Sequence, residues 1–188
     1  SDRNRAPLWS RGLGDVYKRQ SLIISDVDGV LTDGSIFIGS DGTEFKQFNV
    51  EDGAGAAFAR LASIPIVLIS GRQSNSTTIR AQELKIEHCF QGSLDKTTPY
   101  KEACEIYNVE PKNVAYIGDG LMDIPVMLKS GLAIAPENAH DSVKEVSDYI
   151  TLKTGGEGVL REVVELILNE EKLIYDWLAH AISYVLDI

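Results

Sequence analysis

Four short segments of the sequence carry acidic, hydroxyl or amine side chains whose types and spacing could support chemistry. They are Asp26-Val27-Asp28-Gly29-Val30-Leu31-Thr32, Ser70-Gly71-Arg72, Lys96, and Gly118-Asp119-Gly120-Leu121-Met122-Asp123. Each segment follows an apolar run of the kind that forms a buried strand. Because the carboxyl ends of parallel strands meet at one edge of a sheet, where ligands bind, we expect these groups to lie together.

Clustered carboxylates repel one another, and four of these residues are acidic: Asp26, Asp28, Asp119 and Asp123. Two carboxylates about 4 Å apart repel by about 4 kcal/mol at an effective dielectric constant near 20. A bound cation removes this cost, and a few hard oxygen ligands favour Mg²⁺, which retains several waters and can share a phosphate group. Ser70 and Lys96 would add donors for phosphate oxygens. The set therefore indicates phosphate chemistry.

The spacing within the first segment indicates a covalent route. A carboxylate beside such a cation can attack phosphorus and form an aspartyl phosphate. A second carboxyl group two residues later can protonate the leaving oxygen and then activate water against the intermediate. Gly29 would let the backbone turn tightly beside the bound phosphate. Each segment alone is common in ordinary loops, but their shared position after strands indicates an enzyme site.

The elements between these segments are expected to alternate strands with helices. The apolar runs that predict strands are 22–25, 64–70, 88–91, 114–118, 132–135 and 149–152. The stretches long enough for helices are 53–63, 74–84, 97–107, 121–129 and 139–146. This alternation predicts an α/β fold, a three-layer, Rossmann-like arrangement in which a parallel sheet is covered by helices on both faces.

A β-hairpin is expected at 35–50, where Ile36-Phe37-Ile38 and Glu44-Phe45-Lys46-Gln47-Phe48 flank an Asp41-Gly42 turn. Neither this insertion nor 71–94 is long enough for a lid domain, so we expect no separate cap. An isolated hairpin is marginally stable, and its apolar side chains need a surface to cover them. A second copy of the same hairpin would provide one, which predicts a homo-oligomer, specifically a tetramer.

The two ends of the chain are expected to lie outside this domain. Residues 1–20 are basic and show neither a strand nor a helix period, so they are interpreted as a disordered or non-native extension. The domain is then predicted to span 21–170, followed by a helical tail at 171–188 that docks on a neighbouring subunit.

The composition excludes several classes of function. Among 188 residues there are 28 acidic and 18 basic side chains, giving a net charge of −10, whereas a nucleic-acid-binding surface needs positive charge. Two cysteines are too few for a disulfide framework or a structural zinc site. Because no apolar run is long enough to span a membrane and no signal segment opens the chain, we expect a cytoplasmic protein without a membrane partner.

The four segments, taken in this order, resemble the four motifs of the haloacid-dehalogenase superfamily. Three further stretches resemble the family of the 3-deoxy-D-manno-octulosonate 8-phosphate phosphatases: Phe48-Asn49-Val50-Glu51-Asp52-Gly53, Tyr116-Ile117-Gly118-Asp119, and Gly155-Gly156-Glu157-Gly158 through Arg161-Glu162. The resemblance implies a Mg²⁺-dependent phosphomonoesterase that acts on a sugar-acid phosphate in lipopolysaccharide biosynthesis. It also implies a homotetramer in which neighbouring subunits complete each other's sites.

The resemblance assigns a role to each matching residue. Asp26 would be the nucleophile and a metal ligand, and Asp28 the general acid/base, with its backbone carbonyl also on the metal. Asp119 would be the third metal contact, with Asp123 orienting the site from behind the ligands. The groups that would hold the phosphoryl group are Ser70 and Lys96. The expected substrate contacts are Asp28, Asn49, Val50, Glu51, Asp52, Gly53, Arg72, Arg80 and Lys96.

The two arginines of this set suit a carboxylate, which a guanidinium group binds in a planar fork. At four other positions the sequence departs from the family pattern. Gly120 stands where the family commonly has Asp, and three family arginines are replaced by Glu51, Ala57 and Glu157. Positive contacts to an anionic substrate are therefore lost or reversed. A nine-carbon nonulosonate 9-phosphate is accordingly an alternative substrate.

Two readings from another class share parts of this pattern. A phospho-accepting receiver module also uses Asp, Mg²⁺ and Lys on a parallel sheet, but it needs no acid/base group two residues after the phosphorylated Asp, so Asp28 favours a phosphatase. An inactive assembly module would not need the intact catalytic residues, which are all present: Asp26, Asp28, Lys96 and Asp119.

Overall fold

A parallel sheet of six strands forms the centre of the molecule, with a separate two-stranded hairpin. The computed structural model describes residues 13–168. The strands are β1 (Leu22–Ser25), β2 (Phe37–Ile38), β3 (Glu44–Phe45), β4 (Ile66–Ser70), β5 (His88–Gln91), β6 (Val114–Ile117), β7 (Leu132–Ala135) and β8 (Tyr149–Ile150). The helices are α1 (Leu13–Lys18), α2 (Val50–Leu61), α3 (Asn75–Glu83), α4 (Thr97–Ile106), α5 (Ile124–Met127), α6 (Asp141–Val146) and α7 (Val159–Leu168).

The strand order is β5-β4-β1-β6-β7-β8, and every neighbouring pair is parallel. The chain runs outward from β1 through β4 to β5 and then crosses to β6 on the other side of β1. The carboxyl ends of β1 and β6 therefore flank the point where the direction of winding reverses, which is where open α/β sheets bind ligands. The amide of Asp26 donates to the carbonyl of Ile117 at 2.9 Å, which holds these two ends level.

Helices cover both faces of the sheet because its strands are apolar on both sides. Ile23 belongs to the core cluster that packs against α1, α2, α3 and α7. Its neighbours Leu22 and Ile24 belong to the cluster formed with α4, α5 and α6. Successive side chains of a strand point to opposite faces, so a run that is buried throughout requires two covering layers. The predicted three-layer fold is confirmed.

The ordered fold begins earlier than the sequence predicts. Residues 13–18 form α1, in which Val16 is buried, and the Tyr17 ring packs edge-on against Tyr149 with ring centroids 6.4 Å apart. Helix α1 thus lies before the predicted domain start near residue 21. A helix of six residues is too short to show a helical period in the sequence. Residues 1–12 and the predicted tail at 171–188 lie outside the described residues.

Two element boundaries also differ from the expected ones. Helix α2 begins at Val50 rather than at residue 53 because the Asn49 side chain accepts a hydrogen bond from the Glu51 amide at 2.9 Å and caps the helix. The helix expected at 121–129 is divided into a 3₁₀ turn, Leu121–Asp123, and α5.

No cap domain interrupts the described part of the chain. Only the hairpin of β2 and β3 lies between β1 and α2, and only α3 and β5 lie between β4 and α4. The expectation of an uncapped site is thus confirmed for residues 13–168. Within this range no helix has the length and apolar character required to cross a bilayer.

Candidate active site

Three carboxylates converge at the carboxyl ends of β1 and β6. One oxygen from each of Asp26, Asp119 and Asp123 lies within 4.8 Å of the others. Asp26 directly follows β1, and its Oδ1 accepts a hydrogen bond from the Val27 amide at 2.6 Å. Gly29 allows the loop to approach this cluster, because a Cβ atom there would lie 2.1 Å from Asp119 Oδ2, and its φ of +89° favours glycine. The structure therefore brings together three of the four predicted acids.

Lys96 bridges two acids of the cluster, Asp26 and Asp123. It occupies the position preceding α4, and its buried Nζ lies 2.5 Å from Asp26 Oδ2 and 2.7 Å from Asp123 Oδ1. Asp123 is fixed by two further donors, the Tyr116 hydroxyl at 2.7 Å and the Gly120 amide at 3.0 Å. Because every oxygen of Asp123 has a partner, this carboxylate serves to hold Lys96 and Tyr116 in place.

The pKa values in this cluster are displaced by burial and by mutual charge. Burial, and then the Asp123 carboxylate, raise the pKa of Asp26 to about 8 although Lys96 opposes the shift. The same two causes raise the pKa of Asp119 to about 6. Burial alone would lower the pKa of Lys96, but the Asp26 and Asp123 carboxylates outweigh it and raise this pKa. The cluster thus carries negative charge that one ammonium group leaves incompletely balanced.

The carboxylate oxygens of the cluster fit a small hard cation. Asp119 is partly exposed and offers carboxylate oxygens close to those of the buried Asp26, whereas Asp123 already accepts from three donors. Few protein oxygens and space for water are typical of Mg²⁺ sites. A divalent cation would also remove the repulsion that raises the pKa values of the two acids. Asp26 and Asp119 are therefore the residues that would hold the metal.

Asp28, the fourth predicted acid, lies beside the cluster and faces a different set of groups. Its Oδ1 accepts from the Lys46 Nζ at 2.6 Å, and its Oδ2 lies 3.5 Å from the Ser70 hydroxyl. Ser70 Oγ in turn accepts from the Arg72 amide at 3.2 Å, which orients the hydroxyl at the end of β4. Asp28 and Ser70, both predicted from the sequence, are thus neighbours in the structure.

The two predicted substrate arginines are each engaged by an acidic side chain. Arg72 is half-exposed, and its Nη2 donates to Glu44 Oε2 at 3.0 Å. Arg80 donates through Nη1 to Glu83 at 2.8 Å and through Nη2 to the Asn49 carbonyl at 2.6 Å, and its guanidinium lies over the Phe48 ring. Arg72 is exposed enough to contact a ligand, whereas Arg80 holds the start of α2 against α3.

The segment 49–53, also predicted to contact substrate, forms the cap and first turn of α2. Val50 and Glu51 are exposed, while Asp52 is buried and its Oδ1 accepts from the Leu160 amide at 3.0 Å, which ties α2 to the start of α7. Burial raises the pKa of Asp52 to about 6, against the hydrogen bonds from the backbone of Arg161 and Leu160. The Glu51 carboxylate pairs with Arg161 of α7. Asp52 therefore positions helices, and Glu51 lies at the surface.

The glycine-rich loop before α7 packs directly on the loop that carries Asp26. A Cβ atom at Gly155 would lie 2.0 Å from the Gly29 carbonyl oxygen, and the Gly156 amide donates to the Val30 carbonyl at 3.0 Å. Asn49 reaches the same loop through its Nδ2, which donates to the Gly156 carbonyl at 3.1 Å. The resemblance gives Asn49 a substrate contact; the structure places its side chain as a brace between α2 and this loop.

Reasoning from the sequence missed two residues that contact the predicted acids, Tyr116 and Lys46. Tyr116 had a usable signal, because a tyrosine inside a wholly buried strand needs a partner for its hydroxyl. Lys46 had a weaker one: it shares a strand face with Glu44 under the alternation expected for the hairpin. Nothing in the sequence shows that this face turns toward Asp28.

Comparisons with known proteins show which family the chain resembles. Residues 72–163 match the family model described as haloacid dehalogenase-like hydrolase. The 3-deoxy-D-manno-octulosonate 8-phosphate phosphatase of Escherichia coli (strain K12) is 43% identical over 147 residues, which are 78% of each protein. The crystal structure of the Yersinia pestis enzyme of that name superposes with a TM-score of 0.81 at 41% identity, covering 82% of this chain and 84% of the other.

A second solved structure extends the match over most of both chains. The 3-deoxy-D-manno-octulosonate 8-phosphate phosphatase of Moraxella catarrhalis, in complex with a magnesium ion, a phosphate ion and the sugar acid, has a TM-score of 0.85 at 39% identity, covering 89% of this chain and 97% of the other. These likenesses extend well beyond the four motifs. The chain belongs to the haloacid-dehalogenase superfamily and, within it, to the family of the 3-deoxy-D-manno-octulosonate 8-phosphate phosphatases.

Proposed function

We propose that this protein hydrolyses 3-deoxy-D-manno-octulosonate 8-phosphate to the free sugar acid and phosphate, with Mg²⁺ as cofactor and through an aspartyl phosphate on Asp26. One observation carries the proposal: Asp26 touches a buried lysine and lies within reach of two more carboxylates, at the switch point of the sheet. When bound there, Mg²⁺ would polarise the phosphate oxygens and offset the negative charge of the carboxylates. Family membership supports the same substrate class.

The residues of the chain divide the reaction between them. A carboxylate oxygen of Asp26 forms the bond to phosphorus, while the sugar oxygen leaves with its electron pair. Lys96 and Ser70 donate hydrogen bonds to the phosphoryl oxygens, which need such donors as the bond order to phosphorus changes. Asp28 gives a proton to the leaving oxygen and then takes one from the water that attacks the aspartyl phosphate. Phosphate and an unmodified Asp26 are regenerated.

A nonulosonate 9-phosphate is kept as a second substrate because of Glu51. A carboxylate stands where the family has an arginine, and Arg161 pairs with it, so that this corner offers no unpaired cation to an anionic substrate. A substrate with a longer, neutral polyol chain suits such a corner better than one that presents charge to it. Phosphate release from a panel of eight- and nine-carbon sugar-acid phosphates would separate the two, since the true substrate should have the higher kcat/KM.

The catalytic assignment is tested by Asp26→Asn and Asp28→Asn. Each variant should lose most of the Mg²⁺-dependent phosphate release, and the double variant should lose little more, because nucleophile and acid/base act as a unit. Asp41→Asn, in the exposed hairpin turn, is a matched acid-to-amide control and should retain full rate because Asn-Gly suits that turn equally. Full turnover in chelator, or in Asp26→Asn, would contradict this catalytic assignment, whereas no phosphate release by the wild-type protein would leave the receiver and inactive-module hypotheses.

Two expectations about the assembled protein stay predictions. Phe37, Ile38 and Phe45 of the hairpin are each more than half-exposed, an apolar surface that favours association of copies into the expected homotetramer. The cytoplasmic location expected from the sequence is the second of these predictions. Sedimentation at working concentration tests the assembly, and a fully active monomer would contradict it.

A further inference from the structure

A lysine outside every segment named for catalysis lies inside the site. The side chain of Lys46, two residues before Phe48 at the base of the hairpin, is 0% exposed. Its Nζ lies 2.6 Å from Asp28 Oδ1 and 3.3 Å from Thr77 Oγ1. An ammonium group removed from water needs acceptors that replace its hydration, and these two oxygens supply them. Glu44 Oε1 lies farther away, at 3.9 Å, so Asp28 is the carboxylate that pairs most closely with this ammonium group.

The hairpin reaches this place because its polar face docks on α3. Glu44, which shares that face with Lys46, accepts from the Ser74 hydroxyl at 2.6 Å and from Arg72 Nη2 at 3.0 Å. Phe45, between the two, points away and is 61% exposed. The two-residue alternation of the strand thus directs one face to the catalytic site and the other outward. The position of Lys46 is set by this docking.

The contact with Lys46 distinguishes the two oxygens of Asp28. Oδ1 is occupied by the ammonium group, whereas Oδ2 faces Ser70, which is placed to hold the phosphoryl group. We propose that Lys46 is a positioning residue, which fixes the Asp28 carboxyl group so that Oδ2 is the oxygen that exchanges a proton with the leaving group. This inference rests on the function proposed above, in which Asp28 is the general acid/base.

The consequence appears in the step that forms the aspartyl phosphate. As Asp26 bonds to phosphorus, the bond from phosphorus to the sugar oxygen breaks with its electron pair on that oxygen, and the proton of Asp28 Oδ2 passes to it. A sugar alkoxide is a poor leaving group and needs this proton, whereas p-nitrophenolate leaves without one. A misplaced Asp28 should therefore slow the hydrolysis of a sugar phosphate much more than that of p-nitrophenyl phosphate.

The test is Lys46→Met, which keeps the packed stem and removes the ammonium group. With Mg²⁺ present, kcat/KM for the sugar-acid phosphate should fall about 100-fold and that for p-nitrophenyl phosphate by less than about 5-fold, given the usual contribution of a general acid. Thr77→Val removes the second acceptor of Lys46. It should again lower kcat/KM more for the sugar-acid phosphate than for p-nitrophenyl phosphate, with a smaller loss than in Lys46→Met. The ratio kcat/KM is used because it reports the steps up to cleavage of the sugar–phosphate bond.

Lys101→Met is the matched control, since Lys101 is an exposed lysine of α4 paired with Glu105 at 3.6 Å; both substrates should be hydrolysed at the wild-type rate. Thermal melting establishes that each variant is folded. If Lys46→Met unfolds, the difference between the two substrates in Thr77→Val tests the role of Lys46. Equal losses on both substrates, or no loss, would overturn the role of Lys46 while wild-type activity persists. A wild-type protein that releases phosphate from neither substrate would overturn the proposed function instead.

Discussion

Removing the metal should make the stability of this protein fall as the pH rises. Burial and the neighbouring Asp123 raise the pKa of Asp26 to about 8 and that of Asp119 to about 6, from an ordinary value of 3.8. Such a carboxyl group binds its proton more tightly in the folded state than in the unfolded chain. Its effect on stability is therefore absent below about pH 4, unfavourable above it, and complete once the pH exceeds the folded pKa. The metal-free protein should lose stability between about pH 4 and pH 8.

The structure gives the scale of this effect. The carboxylate oxygens lie within 4.8 Å of one another. Two unit charges at that distance repel by about 3.5 kcal/mol at an effective dielectric constant near 20, and Lys96 offsets part of this. A cation at a hundred times its dissociation constant adds about 2.7 kcal/mol to the stability of the folded state. For a chain of this size that corresponds to a rise in Tm of about 5–10 °C.

Thermal melts in chelator and in Mg²⁺, at about pH 5 and pH 8, measure both effects. The rise on adding Mg²⁺ should be larger at the higher pH, because protons compete with the cation for the same oxygens. Asp119→Asn should make the metal-free Tm fall less between the two pH values and should reduce the rise in Tm on adding Mg²⁺. Glu105→Gln, an exposed acid-to-amide change on α4, should do neither. If the metal-free Tm falls as steeply with pH in Asp119→Asn as in the wild type, or if Mg²⁺ leaves the Tm unchanged, the reasoning is refuted.

Three further changes test other contacts. Tyr116→Phe removes a buried donor to a carboxylate and should cost about 1.5–3 kcal/mol in denaturant unfolding, against about 1 kcal/mol for Tyr100→Phe, whose hydroxyl meets only neutral groups; equal costs would contradict the charged contact. Gly155→Ala should abolish activity because its Cβ meets the Gly29 carbonyl, whereas Gly120→Ala, whose Cβ has its nearest contact at 3.6 Å, should retain activity in a phosphate assay. Phe45→Lys should lower the mass seen by sedimentation, and an unchanged mass would exclude the hairpin as the interface.

The core of the site could be predicted because it follows from the order of strands. Apolar runs alternating with helical stretches require a parallel sheet, and a parallel sheet brings its carboxyl ends to one edge. Residues that end or follow those runs, such as Asp26, Ser70 and Asp119, are then confined to that edge by the chain itself. Lys96 is one step further away, yet its place at the start of α4 also fixes it to the same edge.

Contacts that depend on packing between distant segments could not be predicted in this way. The docking of Lys46 on Asp28 depends on how the hairpin lies on α3, which the alternation of its side chains leaves open. The hydrogen bond from the Leu160 amide to Asp52 joins residues 108 positions apart in the chain. The helix α1, which buries Val16, was missed because its six residues are too few to form a period.

The arginines at this site show why residue type alone does not define substrate binding. Arg72, Arg80 and Arg161 all pair with glutamates of the same chain, so a substrate carboxylate must exchange with a bond that already exists. The gain is then the difference between two ion pairs, which is small at an exposed site. Arg80 is 11% exposed and also holds the Asn49 carbonyl, so its release would disturb the start of α2. Arg72 is 49% exposed and makes one such bond, which makes it the arginine that can turn to a substrate at least cost.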